Sequence, residues 1–307
     1  MIAPIVGLSL VPLLMKSHYL LFNLTMIFLY CMVVISWNLA IGYTGVLLFG
    51  QLAFFGIGGY TTGLMTLELS ISPWIGLFIG GFVAALCGFL IGLPLLRLKG
   101  LSVVLVTFAF QEIVRVVILN LRDVTGGIMG LHFIPPFAIG LYVFGEIENY
   151  WLALALLVTI GSVIYLVVKS PSGLAFIALR DSERFAVGRG VNPFKYKLFV
   201  FTMTAFLTGV AGGFYAHFMG MVAPSMISFD VLILLWLMLV IGGIGSLWGS
   251  LIGPFLIVFI NESLRIVEDT RLIIMGALMV ILMLFLPSGI GKELRKSVRE
   301  FLHRLNS

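Results

Sequence analysis

SPSGLAFIALRDSERFAVGRGVNPFKYK, residues 170–197, is the longest polar interruption in a chain otherwise made of apolar runs. It carries Arg180, Arg184, Arg189, Lys195 and Lys197 against Asp181 and Glu183. Long apolar segments flank it on both sides. A bilayer core of about 30 Å takes roughly 20 apolar residues to cross as a helix, and loops left in the cytoplasm carry the excess of Lys and Arg. The stretch therefore reads as a cytoplasmic loop, and it fixes the orientation of the rest.

Its grammar is that of a folded loop. Pro171 and Ser172 can open a short helix on which Leu174, Ile177 and Ala178 share a face, and Gly188 and Gly190 can end it in the left-handed conformation. Asn192 before Pro193 is the pattern of an N-cap followed by a first-turn proline. A short charged helix lying across the membrane face suits a partner protein, and the alternative is an ordinary solvated loop with an interfacial helix.

Composition agrees with a membrane setting. The 307 residues are 61% hydrophobic and 10% charged, with a mean hydropathy of +1.19, outside the soluble range. Of the net charge of +5, residues 169–197 hold six basic and two acidic side chains, and residues 292–307 hold five and two. The basicity thus follows topology and gives no face for nucleic acid. Membrane lipid is the partner that composition implies.

The expected fold is an all-α, polytopic helical bundle of about nine to ten transmembrane segments, one transmembrane domain over residues 1–307. Spans are expected near residues 20–41, 73–96, 101–121, 150–168, 199–219, 231–244, 251–263 and 272–286, with a shorter apolar run at 4–15. The stretch GYTGVLLFGQLAFFGIGGYTTGLM, residues 42–65, has seven glycines. Such density either lets helices approach closely or unwinds one of them so that its backbone faces a cavity. Parity from the central loop leaves Arg97 and Lys99 inside with the basic tail 292–307, and Glu68, Glu146 and Glu148 outside.

Catalytic apparatus is missing from the pattern. No G-x-x-x-x-G-K-[ST] cradle occurs, and no G-x-S-x-G or H-E-x-x-H. His18, His132, His217 and His303 lack ligand spacing, and Cys31 and Cys87 stand apart, so neither a metal nor a cofactor is expected. The N-terminal 20 residues have their Lys after the apolar run, unlike a removable signal peptide. Glu112 and Arg115 fall within the fifth apolar run, three residues apart and so on one helix face. They read either as a pair that fixes helix register or as part of a polar path.

Five segments in order carry a resemblance: residues 42–65, RLKGLSVVLVTFAFQEIVR from Arg97, TGGIMGLHFIP from Thr125, ALRDSERFAVGRGVNPFKYKL from Ala178, and GGIGSLWGSLIGP from Gly242. Together they resemble the permease subunit of branched-chain amino acid ABC importers, over about residues 20–291. The resemblance implies a prokaryotic cytoplasmic-membrane transport subunit, not an enzyme, working with two cytoplasmic ATPase subunits, a second homologous permease and an extracytoplasmic substrate-binding protein. It places Glu183, Ala186, Gly190, Val191 and Asn192 on the coupling motif, with Arg180 and Asp181 beside them. Thr44, Gln51, Gly56, Gln111 and Glu112 are the candidates for the substrate path. The chain departs from the pattern at Val46, Leu48 and Gln51, at Ile128 and Met129, and at Phe185. Leucine, isoleucine and valine are the implied substrates, with urea and short amides as the alternative. An ion-coupled secondary transporter is the competing mechanism, and it calls for ionisable groups at mid-membrane and no coupling loop.

Overall fold

Helix α1, His18–Asn38, continues into a π-helical turn, Leu39–Tyr43, as one apolar segment of 26 residues. At 1.5 Å per residue it is about 39 Å long, enough to cross a bilayer core. The computed structural model describes residues 18–98, 100–140 and 142–263, with 274, 276 and 277. The expected spans at 4–15 and 272–286, Lys99 and the basic tail 292–307 lie outside the described residues.

The glycine-rich stretch divides. Gly45 takes φ +72°, a conformation that a Cβ resists, and the helix stops. Non-helical chain follows to Gly50, and α2 runs Gln51–Leu67. The first half of the stretch leaves the helix, and the second half packs helices closely.

Helix α3, Pro73–Leu95, and α4, Leu101–Asn120, come next. A single turn, α5, Arg122–Thr125, leads into the short strands β1 (Leu131–His132), β2 (Ala138–Ile139) and β3 (Tyr142–Val143). Helix α6, Glu146–Lys169, returns to the central loop, which folds as α7, Pro171–Asp181, and α8, Glu183–Gly188. Helix α9, Pro193–Met219, ends before β4, Met221–Val222. Helices α10, Phe229–Gly242, and α11, Gly249–Ser263, are joined through residues 243–248.

Five of these helices are long and apolar enough to cross a membrane. The protein is an all-α, multi-pass membrane protein.

Its centre is the contact of α2, α3 and α9. A Cβ on Gly58 would stand 2.5 Å from Gly209 Cα, and one on Gly212 would stand 2.8 Å from the carbonyl carbon of Phe55. Only bare backbone allows that approach, and without a hydrophobic drive between helices in lipid, such close packing is what holds them. Helix α1 lies against α6 on one side and α11 on another. Helix α4 is the least covered of the long helices, 22% buried against 67% for α1 and α9.

The connections gather at two ends. At one, β1 pairs with β4, the Trp74 indole donates to Ala138 O at 2.9 Å, His217 Nδ1 donates to Pro135 O at 2.6 Å, and His18 meets Glu146 at 2.6 Å. This is the strand end. At the other, the break after α1, α7 and α8, and residues 243–248 come together. This is the loop end, and it carries the basic stretch.

Candidate functional site

At the loop end, α7 turns back directly from α6. Pro171 occupies its first turn, and a Cβ on Gly173 would stand 2.5 Å from the carbonyl carbon of Val168. The buried face of α7 is Gly173, Ala175, Phe176 and Leu179. Leu174, Ile177 and Ala178 share the opposite, more exposed face, where Leu174 is 70% exposed. The reason is Phe176, whose ring packs between Tyr196 and Phe199 at centroid distances of 6.0 and 6.4 Å. The larger ring takes the core position and turns Leu174 outward.

Helix α8 is tied down by local bonds. Ser182 Oγ accepts from Phe185 N at 3.4 Å, and the Val191 amide reaches back to Ala186 O at 3.1 Å. Ala186 is buried, and Lys197 Nζ meets Glu183 Oε2 at 2.7 Å. Gly190 has φ +84°. Asn192 Oδ1 caps α9 by accepting from Lys195 N at 3.2 Å, with Pro193 behind it. Glu183, Ala186, Val191 and Asn192 thus hold the unit together. The outward surface is Leu174, Asp181, Arg184, Phe185, Val187 and Arg189, and the Arg189 guanidinium lies 5.0 Å from the Phe185 ring centre.

Behind this unit lies a polar network. Asn38 Nδ2 donates to Ser246 O at 3.0 Å and to Ser250 Oγ at 2.6 Å, while Asn38 Oδ1 accepts from Gly245 N at 2.8 Å. Arg180 reaches the same place, donating from NH1 to Gly42 O at 2.9 Å. Asp181 Oδ1 accepts from both Arg180 Nε and NH2 at 3.0 Å.

At the end of the π-turn, Thr44 Oγ1 donates to Ala40 O at 2.6 Å and closes it. The Gln51 amide donates to Thr208 Oγ1, while its Oε1 is buried without a partner among the described residues. A Cβ on Gly56 would stand 2.8 Å from Ile227 Cγ1. Gln111 is fully buried on α4 with both carboxamide atoms unpartnered among the described residues. Beside it Arg115 meets Glu112 at 3.1 Å, with the two side chains 38% and 31% exposed. No three His, Cys, Asp or Glu side chains converge as a metal site among the described residues.

Residues 19–283 match the family described as the branched-chain amino acid transport system / permease component. The chain belongs to this family. It is 32% identical over 290 residues to the high-affinity branched-chain amino acid transport system permease proteins LivM of Salmonella typhimurium and Escherichia coli, covering 87% of this chain and 68% of each relative. A probable branched-chain amino acid transport permease protein LivM of Methanocaldococcus jannaschii is 22% identical over 317 residues, covering 86% of this chain and 91% of the relative. No solved structure matches.

In this permease the α7–α8 unit is the folded connection between α6 and α9. The structure brings the coupling candidates into one unit. It leaves Thr44, Gln51, Gly56 and the Gln111–Glu112 pair on separate contacts. Sequence reasoning passed over the Asn38–Ser246–Ser250 network and the Thr204 and Thr208 positions beside Gln51. A polar residue inside an apolar run was the available signal for each, since a buried polar group needs a partner in the fold.

Proposed function

We propose that this permease is the membrane subunit of an ATP-binding cassette importer that moves leucine, isoleucine, valine or related amino acids inward across a prokaryotic cytoplasmic membrane. The loop end faces the cytoplasm, where two ATPase subunits dock on the α7–α8 unit. A second homologous permease completes the membrane domain, and a substrate-binding protein delivers at the strand end. The chain itself supplies no nucleotide cradle.

The observation that carries this reading is the outward face of α7–α8. Leu174 and Phe185 are 70% and 64% exposed there, beside Arg184 and Arg189, on a unit whose inner face is clamped to the bundle. Exposed apolar groups among cations, on a short helix outside the long spans, have the composition of a protein-docking patch.

Substrate would pass the interior polar groups: Thr44 at the π-turn, Gln51 and Gly56 on α2, and Gln111 and Glu112 on α4. Support for this path lies in the unspent hydrogen-bonding atoms of Gln51 and Gln111. Buried polar atoms without partners cost stability, and they persist where a function uses them.

Thiol cross-linking tests the docking. In a Cys31→Ser, Cys87→Ser background, Phe185→Cys and Leu174→Cys should cross-link to co-expressed ATPase subunits, and Phe133→Cys, at the strand end, should not. Cross-linking from Phe133→Cys alone would reverse the orientation and remove the reading.

A further inference from the structure

Arg180 turns one edge of its guanidinium away from the outward face. Its NH1 donates to Gly42 O at 2.9 Å, in the π-turn that ends α1. Its stem fills the space over the break: a Cβ on Gly45 would stand 3.0 Å from Arg180 Cγ and 3.4 Å from its Cα. A Cβ on Gly245 would stand 3.5 Å from NH1. Arg180 therefore touches the end of α1, the first residues of the break and the 243–248 turn at once.

The chemistry suits a tie that holds under load. The last carbonyls of a helix lack intrahelical partners and carry partial negative charge, so a cation donating to one of them gains from both terms. The guanidinium has donors left over, and Asp181 takes two of them through Oδ1. Asp181 is largely exposed and lies on the docking face described above. The pair thus spans the unit, with a carboxylate on the outside and a backbone carbonyl of a membrane helix on the inside.

What lies at the inner end is an interrupted element. π-Turns are frequent at functional sites, and here one is followed by non-helical chain before α2 begins. Asn38 and Gly245 fix the same turn to the α10–α11 hairpin. A shift of α7 would therefore pull on the end of α1 and carry the hairpin turn with it.

We infer that Arg180 is a positioning residue that transmits displacement of the α7–α8 unit to the interrupted end of α1. This rests on the importer reading above, and it assigns Arg180 to an intramolecular tie in place of an ATPase contact. Its signature is transport uncoupled from hydrolysis with the assembly intact.

The test uses the full complex in proteoliposomes, with co-purified ATPase measured alongside labelled-leucine uptake per ATP hydrolysed. Arg180→Met, which keeps the stem and removes every donor, is expected to retain ATPase association and lower uptake per ATP at least tenfold. Arg180→Lys, a cation that cannot serve Gly42 O and Asp181 together as a planar fork does, is expected to lower it two- to fivefold. That order, native above Lys above Met at constant association, supports the tie. Native uptake per ATP in Arg180→Lys overturns it, and this holds even if Arg180→Met fails to accumulate. Loss of ATPase in step with uptake also overturns it, because Arg180 would then be a docking residue. A native complex without ATP-dependent uptake would instead remove the importer reading, and the tie with it.

Discussion

Asn38 Oδ1 accepts a 2.8 Å hydrogen bond from the amide of Gly245, joining the last turn of α1 to a glycine turn 207 residues later. The same side chain donates to Ser246 O and Ser250 Oγ, so all its main polar capacity is used inside the bundle. Asn38→Ala orphans these groups, and each buried group left unpaired costs about 1–3 kcal/mol. The thermal unfolding midpoint of the detergent-solubilised subunit is expected to fall clearly in Asn38→Ala and by less in Ser250→Ala, which loses one of the three bonds. Equal midpoints for Asn38→Ala and the native protein would show that the network does not hold α1.

The glycines of the central contact divide into those that need bare backbone and those that do not. Gly212→Ala would press a methyl to 2.8 Å from the Phe55 carbonyl carbon and is expected to abolish accumulation of folded subunit. At Gly161 on α6 the first neighbour of a Cβ is Ile35 Cδ1 at 3.8 Å. Gly161→Ala should be neutral or stabilising, since alanine in a helix gains about 0.5–1 kcal/mol over glycine. Fluorescence-detected gel filtration of the two variants would separate them.

How much of this was legible follows from how local the cause was. Asn192 and Pro193 could be read as a helix start because the cap and its target, Lys195 N, are three residues apart. Spans such as α3 and α6 were legible from length and apolarity alone. Which face of α7 is buried was not, because Phe176 is covered by Tyr196 and Phe199, which reach it only in the fold. The glycine-rich stretch showed that packing or unwinding was coming, but the placing of the break needed Gly45 at φ +72° beneath Arg180. Asn38 is polar in an apolar run, and nothing in its neighbourhood names Gly245. Family motifs picked out residues 178–198 as a whole and left the inward turn of Arg180 unseen.

Gln111 gives a prediction in which stability and activity move in opposite directions. Its carboxamide is fully buried with neither atom paired among the described residues. Replacing an unsatisfied buried group by an apolar one of similar shape recovers part of the roughly 1–3 kcal/mol desolvation penalty. Gln111→Leu is therefore expected to raise the unfolding midpoint and lower leucine uptake. A raised midpoint with native uptake would take Gln111 out of the substrate path.

Glu112 lies about 17 Å along α4 from Leu101, past the middle of a bilayer core of about 30 Å, on the least covered of the long helices. Its partner Arg115 is 3.1 Å away, and an uncompensated charge at such depth costs about 2.5–3.5 kcal/mol on insertion scales. Glu112→Gln should lower subunit abundance or assembly, and adding Arg115→Gln should restore part of it because no lone charge remains. Normal assembly with altered substrate preference in Glu112→Gln would assign Glu112 to the path.

In the proposed importer, conformational work enters at the α7–α8 unit from ATP hydrolysed by partner subunits. Uptake of labelled leucine by proteoliposomes holding the permease pair, the ATPases and the binding protein tests it most directly, with ATP inside and ion gradients collapsed by ionophores. Uptake is expected to persist with ionophores and to stop when ATP is replaced by a non-hydrolysable analogue. Uptake that continues without hydrolysis and collapses with a proton or sodium gradient would contradict it.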